Sequence, residues 1–188
     1  RLKGELDTKF SDDLLMKASL LTAIGQTYDG LGLYPEALAA IQQSQNIRDE
    51  VLGREHPDTL AALPDLITAY NTNSQEDDAV KIGDEGLQLA QRILGPEHPT
   101  TVGIMTSVTY NHMWDDDVDG AVKYCEEALR LSRKVLGPHH GTTLTLLANN
   151  SYLYEIRLHQ LEKAVKLREE GLAISRGHFI MQLAGGYH

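Results

Sequence analysis

Residues 93–101 read ILGPEHPTT, and closely related stretches occur earlier and later in the chain. They are VLGREHPDT at residues 51–59 and VLGPHHGTT at residues 135–143, so successive copies begin 42 residues apart. Glycine after an apolar pair is typical of a helix C-terminus, and proline a few residues later suits the first turn of a new helix. Each copy therefore predicts the end of one helix and the start of the next.

Two further series of residues keep the same interval. They are Tyr28, Tyr70, His112 and Tyr154, and Ala37, Ala79, Ala121 and, one residue late, Ala164. Apolar and small residues recur three and four positions apart, as expected for a buried helical stripe, and no strand alternation competes with this pattern. The sequence therefore predicts an all-α array within residues 1–176. Its four two-helix repeats are expected at about residues 14–52, 57–94, 99–136 and 141–176, with a cap or tail at residues 177–188.

Polar residues near the predicted helix starts suggest how these helices begin. Asp58, Thr100 and Thr142 put a capping or polar residue near each new helix N-terminus. The periodic histidines His56, His98 and His140 stand in separate repeats roughly 10 Å apart, too far to share a metal ion, so a structural role at the helix start is expected. Pro64 falls inside a predicted first helix, which it should kink or delay.

The first unit resembles the tetratricopeptide repeat (TPR), through Leu21, Ile24, Gly25, Tyr28, Gly32, Tyr34 and Ala37. The common TPR period is 34 residues. The longer period and the L-G-x-E-H-P-x-T signature resemble the kinesin-light-chain-like subfamily, whose members include motor cargo adaptors and bacterial signalling proteins such as serine/threonine kinase fusions. Residues 20–34 look more similar to the bacterial arrays, and only Asn149-Asn150 matches the asparagine pair of the motor adaptors.

The resemblance implies a right-handed α-solenoid of about four TPR repeats that acts as a non-catalytic protein–protein interaction scaffold, with a partner in the concave groove. The family's groove positions carried over to this chain are Ser19, Thr22, Gln26, Asp29, Ala61, Pro64, Thr68, Asn71, Gly103, Thr106, Tyr110, Met113, Trp114, Thr145, Tyr152 and Glu155. No lysine or arginine is among them, so a basic or neutral peptide with an apolar anchor is expected. The anchor pocket would be Tyr110, Met113, Trp114 and Tyr152, although packing between helices is an alternative role for these side chains.

Composition restricts the partners and the compartment. The formal net charge is −10, from 27 acidic and 17 basic residues, which disfavours binding to nucleic acid or to an anionic membrane. No apolar run reaches the roughly 18 residues of a membrane span. Cys125 is the single cysteine, so we expect no internal disulfide, a cytoplasmic location and a buried thiol. The start at Arg1, without a methionine, suggests a processed product or a fragment of a larger protein.

One acidic stretch matches a metal-binding motif. Asp115, Asp117, Asp119, Gly120 and Glu126 fit the calcium-loop pattern D-x-D-x-D-G-x5-E. Ala121, however, occupies the position of a small packing residue near a helix start, where a calcium loop would need unwound backbone. We therefore interpret the stretch as a solvated turn, with a calcium-responsive module at residues 115–126 or a self-association domain as alternatives. No glycine-rich phosphate loop, HExxH or GxSxG is present, so no enzyme activity and no cofactor is predicted.

Overall fold

The computed structural model describes residues 13–114 and 116–185, with side chains to residue 177, and these residues form helices joined by short turns. In chain order the helices are α1 (Leu14–Gly30), α2 (Tyr34–Leu52), α3 (Pro57–Ala61), α4 (Leu63–Thr72), α5 (Glu76–Ile93), α6 (Pro99–His112), α7 (Val118–Val135), α8 (Gly141–Ile156) and α9 (Leu161–Gly185). The predicted all-α fold is confirmed. None of the described helices is both long enough and apolar enough to cross a membrane.

The helices divide into two compact units, Arg1–Pro96 and Glu97–His188. In unit 1, α1 pairs with α2, and α4 pairs with α5. The short α3 comes directly before α4 in the chain. In unit 2, α6 pairs with α7 and α8 with α9. Residues 177–185, expected to form a cap or tail, continue α9, and the expected beginning of the array at residues 1–12 lies outside the described residues.

A histidine caps the first helix of the second, third and fourth repeats, which are α3, α6 and α8. The Nδ1 atom of His56, His98 or His140 accepts a hydrogen bond from the backbone N–H two residues later, at 3.1, 3.2 and 3.2 Å respectively. This bond satisfies one of the donors left free at a helix start. The expected structural role of the histidines is confirmed. Asp58, Thr100 and Thr142 lie in the first turn as the expected polar residues near the helix start, and each donates the backbone N–H that the imidazole accepts.

Glycines end the second helices in a conformation that other residues rarely adopt. Gly95 and Gly137 have φ angles of +92° and +93°. Their N–H groups donate to the carbonyls of Ala90 and Ser132, at 3.2 and 3.1 Å, which closes the last turn of each helix. The chain can then reverse within a few residues because glycine has no Cβ to clash.

Pro64 interrupts a first helix, as predicted. Helix α3 ends at Ala61 and α4 begins at Leu63, so Pro64 stands in the first turn of α4, where no N–H is needed. The corresponding α6 and α8 of unit 2 run without a break. A proline in mid-helix would remove a hydrogen bond and clash with the preceding turn, so the chain instead begins a second helix.

Each unit has its own apolar core. In unit 1, Leu21 of α1 packs in a buried cluster with Ala18, Ala40 and Ile47. In unit 2, Met113, Cys125 and Leu153 form a corresponding buried cluster. Cys125 has no solvent exposure, which confirms the predicted buried thiol. Burial of a large aliphatic side chain contributes about 1.5–3 kcal/mol, so these clusters stabilise the packing of α1 on α2 in unit 1 and of α7 on α8 in unit 2.

Candidate peptide-binding surface

Three exposed aromatic side chains of unit 2 are in contact with one another. The Trp114 ring lies between Tyr110 and Tyr152, with ring centroids 6.4 and 5.8 Å away, and both contacts are edge to face. The three side chains are 49%, 45% and 39% exposed for Tyr110, Trp114 and Tyr152. Tyr110 and Trp114 come from the end of α6, and Tyr152 comes from α8, so the aromatic cluster bridges two first helices. The structure thus brings together three of the four predicted anchor residues.

The fourth predicted anchor residue, Met113, is not part of this surface. Its side chain is only 2% exposed and packs with Cys125 and Leu153 in the core of unit 2. Met113 directly follows the last helical residue of α6, and its side chain turns inward toward α7 and α8 while the adjacent Trp114 turns outward. The prediction that Met113 belongs to the binding pocket was therefore wrong.

Arg157 adjoins the aromatic cluster, and sequence reasoning missed it. Its Nη1 donates to the Met113 carbonyl at 2.5 Å, and its guanidinium carbon lies 6.0 Å from the centre of the Trp114 ring. A guanidinium over an indole gains a cation–π attraction, here at an exposed site, and also holds the ring in place. The equivalent positions in unit 1 are Leu31 and Asn73, so the repeat pattern carried no signal for an arginine.

Several of the predicted groove residues of unit 1 make hydrogen bonds within that unit. Gln26 Nε2 donates to Asp65 Oδ1 at 3.0 Å, which ties α1 to α4. The Thr22 hydroxyl lies 2.8 Å from Ser44 Oγ. Thr68 donates to the Pro64 carbonyl of its own helix at 2.8 Å. These hydroxyls keep their acceptor lone pairs, so a ligand could still donate to them.

Among the other predicted groove residues, some polar atoms have a hydrogen-bond partner and others have none. Asp29 and Asn71 are half-buried, and the Oδ1 atom of each is enclosed without a hydrogen-bond partner among the described residues. Thr106 donates to the Val102 carbonyl at 2.8 Å. Glu155 accepts a hydrogen bond from Arg168. Elsewhere in unit 1, a cavity of about 350 Å³ is lined by the predicted groove residues Ser19, Thr22 and Ala61 and by Asp65, among others.

The acidic stretch after Trp114 forms a turn and a helix start. Asp117 caps α7 by accepting the Gly120 N–H at 3.0 Å, and the helix begins at Val118. Asp119, Gly120 and Glu126 are therefore helical, whereas a calcium loop needs this backbone to be unwound. Glu126 accepts a hydrogen bond from the Tyr154 hydroxyl, and Asp115 lies outside the described residues. The geometry agrees with the interpretation as a capped turn.

Asn150, half of the asparagine pair that resembles the motor adaptors, is a core residue. It is 1% exposed, and its Nδ2 donates to the carbonyls of Cys125 and Leu146, both at 2.9 Å. Its side chain therefore links α7 to α8 and is not presented to a ligand. The resemblance in sequence at this pair does not extend to a shared groove contact.

Helix pairs with short turns, and an exposed aromatic cluster on two first helices, define a helical-repeat interaction module. Tetratricopeptide-repeat models match residues 18–58, 68–100 and 110–177. The chain belongs to the tetratricopeptide-repeat family, as predicted. TPR arrays generally mediate protein–protein interactions and are typically non-catalytic. No curated protein matches the chain.

Solved structures of TPR-like repeat proteins share the fold of this chain. The chain is similar to the nearly identical TPR-like repeats of a Podospora anserina protein named as a kinesin light chain, and to a variant of those repeats. The variant is 24% identical with a TM-score of 0.63, and the other structure is 23% identical with a TM-score of 0.60. Each match covers 86% of this chain and 76% of the other. BtubC (BKLC) from P. vanneervenii is 17% identical over 94% of this chain and 67% of its own, with a TM-score of 0.68. At these identities the likeness establishes the fold alone.

Proposed function

We propose that the chain is a non-catalytic scaffold that holds a segment of another protein, and that the aromatic cluster is its principal anchor. The observation that carries this proposal is that Trp114 contacts both Tyr110 and Tyr152 while all three side chains remain substantially exposed. Large exposed apolar side chains gathered in one place are typical of interaction sites. Tyrosine and tryptophan are also the residues that most often dominate binding energy at interfaces.

The surroundings of the aromatic cluster favour a basic or neutral partner with an apolar anchor. Asp116 and Asp117 are exposed in the turn that follows Trp114, and the whole chain carries a net charge of −10. The Arg157 guanidinium already contacts the Met113 carbonyl and the Trp114 ring. An acidic partner would therefore meet carboxylates at the turn, whereas a basic one would gain from them.

Polar residues at the other predicted positions are proposed contacts within each unit taken separately. Thr22, Gln26, Asp29, Thr68 and Asn71 in unit 1, and Thr106 and Glu155 in unit 2, offer hydroxyl, amide and carboxylate groups to a peptide backbone. The resemblance to bacterial arrays suggests that this scaffold acts within a larger signalling protein in the cytoplasm.

Selection from a displayed peptide library on the immobilised chain tests the proposal. The enriched peptides should share an aromatic or large aliphatic residue and lack clustered acidic residues. The double variant Tyr110→Ala/Tyr152→Ala should bind them at least about tenfold more weakly, because it removes two anchor rings. Tyr34→Ala is the matched control, because Tyr34 is a 42% exposed tyrosine of unit 1.

Circular dichroism separates a binding defect from an unfolded chain. The proposal predicts unchanged helicity in the double variant together with weakened binding. Equal binding by the double variant and by Tyr34→Ala would remove the aromatic cluster from the site. If a second copy of the chain is the partner, light scattering will detect an oligomer that the double variant dissociates.

A further inference from the structure

Unit 1 contains a second concave site that shares no residue with the aromatic cluster. It is a cleft of about 570 Å³ formed by α2, α3, α4 and α5. Its apolar wall includes Leu60, Leu63, Leu66 and Leu89. Asp49 and Glu85 line it from α2 and α5, and Arg54 and Glu55 line it from the turn after α2, where Glu55 is paired with Arg92. A volume of this size is within the range of small-molecule sites, which are mostly apolar with a few polar groups that fix orientation.

Unit 2 contains the equivalent cleft, which allows the two to be compared position by position. That cleft has a volume of about 640 Å³ and is lined by residues of α7, α8 and α9. Tyr70 and Tyr154 are equivalent residues of the two clefts, and each is hydrogen-bonded to the equivalent residue of the preceding helix, Gln42 or Glu126. Leu63 and Leu147 are likewise the residues that a Cβ on Gly86 or Gly171 would meet. The clefts therefore share one architecture.

The clefts differ in the charges of two equivalent side chains, one from each of the helices α2 and α5 in unit 1 and α7 and α9 in unit 2. In unit 2, Arg133 of α7 and Glu170 of α9 form an ion pair in which Nη2 lies 2.7 Å from both carboxylate oxygens. The equivalent residues of unit 1 are Asp49 and Glu85, which are both acidic. The Nε atom of the exposed Arg54 lies 3.8 Å from Asp49 Oδ2. Glu85 has no ion-pair partner among the described residues. Unit 1 thus has two carboxylates where unit 2 has a cation and a carboxylate.

Gln45 holds one of these carboxylates and is itself incompletely satisfied. It lines the cleft, is 6% exposed, and its Nε2 donates to Asp49 Oδ1 at 3.0 Å and to the Thr59 carbonyl at 3.3 Å. Because both partners are acceptors, the amide orientation is fixed, and Oε1 is left enclosed without a donor among the described residues. An enclosed acceptor without a partner destabilises the folded state, because it has lost its hydrogen bond to water and gained none. The equivalent residues Leu87 and Leu129 avoid this cost, so packing alone does not account for Gln45.

We propose that the unit 1 cleft binds an aliphatic ammonium ion, with the charge held by Asp49 and Glu85 and the alkyl chain against the leucine wall. The ligand's ammonium replaces the charge that Arg133 supplies in unit 2. A compact ammonium with three donors suits two carboxylates that arrive from separate helices. Gln45 acts as a positioning residue, because its hydrogen bond fixes the Asp49 carboxylate.

Titration of the isotope-labelled full chain with n-hexylamine at neutral pH, followed by amide NMR shifts, tests this proposal. We expect saturable binding with a dissociation constant on the order of 1 mM, and shifts at Leu63, Leu66 and Glu85. 1-Hexanol and hexanoate should bind at least about tenfold more weakly, because they lack the cation. Equal shifts with 1-hexanol, shifts confined to unit 2, or no saturable shifts would overturn the proposal.

Variants at the charge pair give a second readout. Glu85→Gln, at an exposed position, should weaken hexylamine binding about tenfold without unfolding the chain. Asp49→Arg recreates the unit 2 ion pair, so it should abolish binding and raise the thermal midpoint. Glu170→Gln, the matched control, should leave hexylamine binding unchanged. Undiminished binding by Glu85→Gln and Asp49→Arg would contradict the assignment.

The ammonium could come from a free amine or from a lysine side chain. Nα-acetyl-lysine N-methylamide, titrated in parallel, represents the lysine. Binding of either compound at the cleft supports the site, and the tighter of the two identifies the source. If neither compound binds at the cleft, the proposal is contradicted.

Discussion

The indole of Trp114 and the phenol ring of Tyr152 meet edge to face, with 5.8 Å between their centroids, although each side chain is more than one-third exposed. Such a pair is worth about 0.5–1.5 kcal/mol beyond its buried area, which helps to keep both rings in one place. Arg157 holds the indole from another side. The aromatic cluster is thus ordered before any partner arrives, which lowers the entropic cost of binding.

The histidine caps predict a difference between two neighbouring histidines. His140→Ala should lower the free energy of unfolding by about 1 kcal/mol, because the Thr142 N–H loses its acceptor. His139→Ala should change it by less than about 0.5 kcal/mol, since His139 is an exposed surface residue. Urea denaturation of the two variants checks this prediction. Equal losses at both positions would show that the cap is not the source of the stability.

The backbone at Gly137 predicts a strong preference for glycine. Gly137→Ala should cost about 1–2 kcal/mol, because φ is +93° and a Cβ is strained there. Gly30→Ala is the control, since Gly30 is helical and a Cβ on it would meet nothing within 4 Å. That change should be neutral or stabilising by up to about 1 kcal/mol. Chemical denaturation measures both, and a Gly137→Ala variant as stable as Gly30→Ala contradicts the turn geometry.

Tyr154 predicts a loss of stability at alkaline pH. Burial, and next the hydrogen bond to the Glu126 carboxylate, raise the pKa of Tyr154 above its ordinary value. The folded state therefore holds the Tyr154 hydroxyl proton more tightly than the unfolded state. The free energy of unfolding is unaffected by this difference below about pH 10 and falls as the pH rises further, because the unfolded state loses the proton first. Tyr154→Phe should therefore show a smaller fall in unfolding free energy between about pH 9 and 11 than the wild type. Tyr152→Phe, at an exposed tyrosine, should retain the wild-type fall. Identical profiles for the wild type and Tyr154→Phe would refute the coupling.

The start of α7 at Val118 predicts the response to calcium. Because the residues that would have to unwind are helical, calorimetric titration with calcium should give no saturable heat and no shift in the thermal midpoint. Asp117→Ala should lower stability by about 1 kcal/mol through loss of the cap. Saturable calcium binding that Asp117→Ala removes would restore the calcium loop as the correct interpretation.

The repeat pattern predicted the helices well, because helix ends depend on local chemistry. Gly95 needs a positive φ angle, and Pro64 cannot continue a helix, so both could be placed from sequence alone. The sequence did not reveal which residue caps each helix, because imidazole Nδ1 accepts the N–H two positions on, a role more often filled by Ser, Thr, Asp or Asn.

The candidate surface was less predictable, because side-chain direction depends on tertiary packing. Met113 and Trp114 are adjacent residues just past the end of α6, yet one is buried and the other exposed. The helical period alone could not separate them. Arg157 enters from beyond the end of α8, where no repeat-equivalent residue has its charge. Asp49 and Glu85 are 36 residues apart in the sequence, and only the folded clefts show that they occupy the positions of the Arg133–Glu170 ion pair.

Trp114 is the single tryptophan of the chain, so its fluorescence reports on the aromatic cluster alone. The most direct measurement is the Trp114 emission spectrum, with acrylamide quenching, during titration with a selected peptide whose binding is followed in parallel by calorimetry. A partner held by the aromatic cluster should shift the emission to shorter wavelength and reduce quenching, with the same saturation curve as the heat. Full binding of the peptide with unchanged Trp114 emission and quenching would contradict the proposed surface.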